Sequence, residues 1–167
     1  NIAQRTFELT VSPVNDPPEF ELTRDTVAVD EDFPGTEIVD VLPAPVPGDE
    51  VSQAVTYRLV PPSADFAHLS VDPATGRITI SALPEASGSG AFTVRADDGQ
   101  PVNNVAERSF MLTVHAVDDP PVAHPQNVAT DEDTPVDITL TGSDPEEQPL
   151  TFSVVDVPLH GGLTGDP

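Results

Sequence analysis

Apolar and polar residues alternate in short runs along most of this chain, and nowhere do apolar positions recur with helical spacing over a helix's length. Phe110, Leu112 and Val114 fall on one face of a run over 105–116; Phe92, Val94 and Ala96 do so over 90–97. Ile78 with Ile80, and Val55 with Tyr57 and Leu59, supply the same pattern in runs over 77–82 and 53–60. Further strand signals cover 67–72, 36–41 and a first strand in two halves, 19–23 and 26–30. Between two of these runs, Pro73-Ala-Thr-Gly76 has the proline-to-glycine form of a tight turn. Seven strands, the first of them broken, predict an antiparallel β-sandwich of about 100 residues. Its core is aliphatic and thin, because aromatic residues make up 5% of the chain and tryptophan is absent.

The pattern also repeats. Arg5-Thr-Phe-Glu-Leu-Thr-Val-Ser-Pro-Val-Asn-Asp-Pro-Pro18 returns as Arg108-Ser-Phe-Met-Leu-Thr-Val-His-Ala-Val-Asp-Asp-Pro-Pro121, with 9 of 14 positions identical. Val27-Ala-Val-Asp-Glu-Asp-Phe-Pro34 returns as Val128-Ala-Thr-Asp-Glu-Asp-Thr-Pro135, with 6 of 8 identical. A domain-sized period marks tandem modules. Residues 1–16 read as the terminal strand and linker of a preceding repeat, 17–118 as a complete sandwich, and 119–167 as the first strands of a following one. That last segment carries a split first strand, a second over 136–141 and a third over 149–156, then stops. Three strands do not close a sandwich. Either the segment is truncated, or strands donated by neighbouring chains complete it.

Charge changes the picture most. Asp and Glu number 29 against 6 arginines and no lysine, for a formal charge of −23. Such a field repels nucleic acid and anionic membranes and draws cations. It also keeps a surface soluble, and acids beside prolines are common at solvated domain boundaries. Cysteine is absent, so neither a disulfide nor a thiolate metal site reinforces the fold. The lack of lysine removes a Lys–Asn crosslink as well. No apolar run approaches the ~20 residues of a membrane span, so direct membrane insertion is not expected.

Several stretches together resemble cadherin repeats, and more closely the bacterial cadherin-like, Ig-like repeats of large secreted or surface proteins of the adhesin type. Val14-Asn-Asp-Pro-Pro-Glu-Phe20 is similar to the linker DxNDNxPxF, and Glu31-Asp-Phe-Pro-Gly-Thr36 to ENxPxGT. Val71-Asp-Pro-Ala-Thr-Gly-Arg-Ile78 is similar to LDPxTGxI, and Arg95-Ala-Asp-Asp-Gly-Gln-Pro101 to xATDxGxP. Gly142–Phe152 is similar to the bacterial pattern DPDGDxLTY, and Pro158–Gly165 to PxHGxLTG. The likeness implies an all-β, Ig-like and cadherin-like sandwich in tandem, outside the cell or at its surface, working as a calcium-stiffened spacer or adhesion module. Its implied partners are neighbouring repeats of the same chain, with homophilic or carbohydrate contacts left open. An accessory carbohydrate-recognising module of a polysaccharide-degrading enzyme and a self-assembling fibre subunit remain alternatives.

Alternating connections sort the acids by pole. Asp30, Glu31, Asp32, Glu85, Asp118 and Asp119 are expected at one end of the sandwich, with Asp144 and Glu146 supplied by the following repeat. Carboxylates gathered in this way repel unless a cation sits among them. Ca²⁺, which takes ~6–8 oxygens in a forgiving geometry, suits them. A second and weaker set is Asn15, Asp16, Asp97 and Asp98 at the first linker. The likeness is imperfect there: the linker lacks the second Asn of NDN, and Ala44-Pro-Val46 stands where a DxD is expected.

No catalytic site is expected. His160-Gly-Gly162 lacks an accompanying G-x-S-x-G elbow, and no paired-histidine metal spacing occurs. The stretch Gly161-Gly-Leu-Thr-Gly-Asp166 carries one residue too many for a GGxGxD calcium repeat, and no EF-hand spacing is present.

Overall fold

In the computed structural model, residues 2–165 are described, and they fall into two units, one ending at Ala116 and one beginning at Val117. The first holds nine strands: β1 (Phe20–Leu22), β2 (Thr26–Asp30), β3 (Thr36–Val39), β4 (Val41–Pro43), β5 (Thr56–Val60), β6 (Ala67–Val71), β7 (Ile78–Ala82), β8 (Gly88–Asp97) and β9 (Val105–His115). One sheet runs β2-β9-β8-β5, a second β3-β7-β6, and β1 pairs with β4. The first strand is split as expected. Its first half pairs antiparallel with β4, and its second half pairs parallel with β9, from Thr26 opposite Met111 to Asp30 opposite His115. The expected second strand is itself broken at Asp40, whose carboxylate accepts Arg77 Nε at 2.7 Å.

Alternation decides the core. Val94, Ala96, Leu112, Val39, Ile78 and Ile80 have no exposed surface, and Phe92 and Phe110 stack between them with ring centroids 5.7 Å apart. Burying a side chain of this size contributes about 2 kcal/mol, so the core and not local propensity holds these strands. At the β6–β7 turn, Asp72 Oδ1 accepts the backbone N–H groups of Ala74 and Thr75 at 2.8 and 3.1 Å. Gly76 follows at φ +73°, and a β-carbon there would stand 2.6 Å from Val41 Cγ2. Only glycine fits this corner.

In the second unit the described strands are β10 (Val122–Ala123) and β11 (Gly142–Ser143), paired antiparallel. The strands expected over 136–141 and 149–156 are not formed. Ile138 and Leu140 are exposed, and no described sheet offers these runs a partner; a lone strand's unpaired backbone groups turn to water. Residues 2–19 likewise form no strand despite their alternation.

Candidate functional site

The first linker is held down by its own amide. Asn15 Nδ2 donates to Asp98 Oδ2 at 3.1 Å and to the carbonyls of Val102 and Asn103 at 3.1 and 3.0 Å. Its Oδ1 accepts Gln53 Nε2 at 2.8 Å, and its backbone carbonyl accepts Asn103 Nδ2 at 3.1 Å. The backbone N–H of Asp16 donates to Glu50 Oε1 at 2.6 Å. Glu50 and Asp98 each retain only 6% exposure, and neither has an arginine partner. Asp97 serves its own loop: its Oδ1 accepts Gly99 N–H and Asn104 Nδ2, and these bonds, the Gly99 one foremost, hold its carboxyl below the usual range. Asp98 Oδ1 caps the same turn through Gln100 N–H.

The second linker reproduces two of these bonds within its own unit. Asp119 N–H donates to Glu146 Oε2 at 3.2 Å, and Gln148 Nε2 donates to Asp118 Oδ1. Asp144 Oδ1 collects the N–H groups of Glu146 and Gln148, folding their loop into a turn, with Glu147 at φ 59°. Glu50 and Gln53 thus do for Asn15 and Asp16 what Glu146 and Gln148 do for Asp118 and Asp119. Glu50, Gln53 and Gln148 are absent from the expected sites. The signal for them is an acid and a glutamine, two or three residues apart, well after each linker.

The linkers differ at one atom group. Where Asn15 offers an amide N–H₂ that feeds three acceptors, Asp118 offers only oxygens. Carboxylate oxygens of Asp119 and Glu146 lie within 4.8 Å of each other, and Asp119 Oδ2 is buried with no hydrogen-bond partner among the described residues. A buried carboxylate oxygen left unpaired is costly, and a cation relieves that cost. The donor set is hard oxygen throughout, which fits Ca²⁺.

At the other end of the first unit, the Asp-Glu-Asp turn after β2 places Asp30 and Asp32 at the surface and buries Glu31 to 7% exposure. Glu31 N–H donates to His115 O at 2.8 Å, which carries the β2–β9 pairing one residue past the strand. Asp32 sits in the left-handed region at φ 58°, as Asp133 does at 61° in the echoed turn. A carboxylate oxygen of Asp32 comes within 4.8 Å of one from Glu85, itself at φ 53°. Left-handed backbone at a non-glycine residue costs about 1–2 kcal/mol, and the two neighbouring carboxylates add mutual repulsion to it.

With this geometry in view, comparison with known proteins is informative for the second unit. Residues 118–167 match the family model described as a bacterial Ig domain. This stretch is similar to a bacterial Ig-type repeat. The sandwich ahead of it is all-β and Ig-like, with the split first strand shared between two sheets. Similar solved structures include human protocadherin-24 EC1-2 (23% identity, TM-score 0.41, covering 76% of this chain and 59% of that one). Human desmocollin-1 ectodomain (19%, 0.43, 78% and 27%) and mouse cadherin-23 EC22-24 (20%, 0.43, 78% and 44%) are others. The chain spans less than two thirds of each of these proteins. Among the described residues, no helix is long and apolar enough to cross a membrane.

Proposed function

We propose that the chain is a non-catalytic, extracellular spacer or adhesion segment of tandem Ig-type repeats, whose acidic linkers take up Ca²⁺ and thereby stiffen the array. The observation that carries this reading is the buried, unpartnered Oδ2 of Asp119 beside Glu146, in a unit whose linker offers oxygens and no amide. Asp118, Asp119, Asp144 and Glu146 supply the carboxylates on that side, and the Asp30, Glu31, Asp32 and Glu85 turns are further candidates. Pro120 and Pro121 already restrict φ in the linker, so a bound ion has only the remaining freedom to lock in order to stiffen it. At Asn15 the amide takes the place of a cation. The first linker is accordingly the weaker metal site.

Titration calorimetry with CaCl₂ on the whole chain tests the reading. Saturable binding is expected, weakened about tenfold or more by Asp119→Asn, in keeping with the dependence of calcium affinity on ligand charge. Small-angle scattering should show the chain lengthen when Ca²⁺ replaces chelator. A flat calorimetric trace for the unmodified chain overturns the metal part of the proposal.

A further inference from the structure

Beside the first linker lies a cleft of about 370 Å³ that shares Asp16 and Asp98 with the weaker of the two candidate metal sets. Its walls include Pro17, Pro43, Pro47 and Val46, a stiff apolar surface. Tyr57, Glu50 and Asp98 also line it. Proline walls lose little entropy on binding, so they are suited to gripping an apolar stem.

Glu50 and Asp98 keep their linker and loop hydrogen bonds, but among the described residues no arginine offsets their charge, and Tyr57 completes the polar lining. Glu50 and Asp98 are buried carboxylates without an ion-pair partner among the described residues. Tyr57 is 8% exposed, burial raises its hydroxyl's pKa, and that hydroxyl has no hydrogen-bond partner among the described residues. A neutral phenol without a protein partner is a ready donor or acceptor for a ligand group. Asp16 and Glu19 add negative charge at the lining of a chain already at −23. Buried negative charge calls for a positive partner, and the four arginines that form ion pairs in this structure are engaged elsewhere, on Glu37, Asp40, Glu107 and Glu21.

We infer that this cleft is a docking site for a basic side chain, arginine in particular, presented by a partner protein. The guanidinium faces Glu50 and Asp98, the methylene stem lies along the prolines and Val46, and Tyr57 is within the same enclosure to stack on or hydrogen-bond the planar head. A compact hydrated metal ion makes no use of the apolar walls. An anionic or neutral glycan leaves both carboxylates unpaired.

The test is an NMR titration of the whole chain with N-acetyl-arginine amide, in the presence of chelator so that bound calcium plays no part. Saturable shifts are expected at the Val46, Val55 and Tyr57 amides. The neutral isostere N-acetyl-citrulline amide should bind at least about tenfold more weakly, as expected when a buried charge pair loses one charge. Glu50→Gln should weaken the arginine probe by a similar factor. Because Glu50 also holds the linker, Val46→Arg supplies a second variant: residue 46 is half exposed, so the fold is spared while the cleft is filled from within. Equal binding of arginine and citrulline probes overturns the inference. So does binding that survives Val46→Arg, or shifts scattered over the acidic surface. Loss of calcium binding leaves it untouched, so the two readings fail separately.

Discussion

Two stretches of this chain carry nearly the same residues and have opposite fates. In 108–114 the run Arg-Ser-Phe-Met-Leu-Thr-Val is the central part of β9, with Phe110 2% and Leu112 0% exposed. In 5–11 the run Arg-Thr-Phe-Glu-Leu-Thr-Val forms no strand, with Phe7 89% and Leu9 76% exposed. Propensity and alternation are shared, so they do not account for the difference. What β9 has is β8 on one side, β2 on the other and the second sheet beneath. Strand identity in this protein is conferred by partners, as expected where β propensity chiefly measures packing against neighbours.

The largest effect that sharpens the contrast is a paired truncation. Leu112→Ala should cost about 3 kcal/mol in chemical denaturation, the usual range for a fully buried leucine. Leu9→Ala should move stability by less than about 0.5 kcal/mol, as surface changes do. Amide exchange gives the same comparison without mutation: β9 should be protected to the level of global unfolding, and 5–14 should exchange freely. Equal losses from the two truncations would break the comparison.

The same physics explains what could be read from the residues alone. The split first strand, the β6–β7 turn and the core faces of β5, β7, β8 and β9 were legible because pattern and turn chemistry agree there. The runs over 136–141 and 149–156 look equally strand-like, but pattern does not report whether a partner is present. The candidate site divides in the same way. Asp118, Asp119, Asp144 and Glu146 stand out beside prolines and glycine. Glu50 does not, since its bond to Asp16 spans 34 positions, and Gln53 and Gln148 are neutral residues in polar loops. Contacts that far apart leave no local trace.

A smaller effect separates turn chemistry from partner supply. Gly76→Ala places a methyl against Val41 in a left-handed corner and should cost about 2 kcal/mol through backbone strain and overpacking. Gly35 is also left-handed, at φ +84°, but a β-carbon there meets nothing within 4 Å. Gly35→Ala should cost only the backbone part, about 1 kcal/mol. If the two variants are equally destabilised, the close approach of Val41 is not what makes residue 76 glycine.

The smallest expected effect is on pH dependence, and it too falls within the partnered sandwich. Asp72 is held below its ordinary pKa first by the Ala74 and Thr75 backbone N–H bonds, and Asp97 by Gly99 N–H and Asn104. A carboxylate with a lowered folded-state pKa stabilises the fold above its unfolded pKa, and that contribution disappears as pH falls through the folded value. Acid titration should therefore erode the stability of the first unit below the ordinary aspartate range. Asp72→Asn should flatten part of that slope, since an amide can still accept one turn bond but does not titrate. Asp72 is exposed and Asp97 half-buried, so the slope should be shallow and the Asp72→Asn variant nearly as stable as the parent near neutral pH. An Asn variant with the parent's full acid slope would mean that the turn bonds in 72–75 do not tune Asp72, and that the acid sensitivity of the sandwich arises elsewhere.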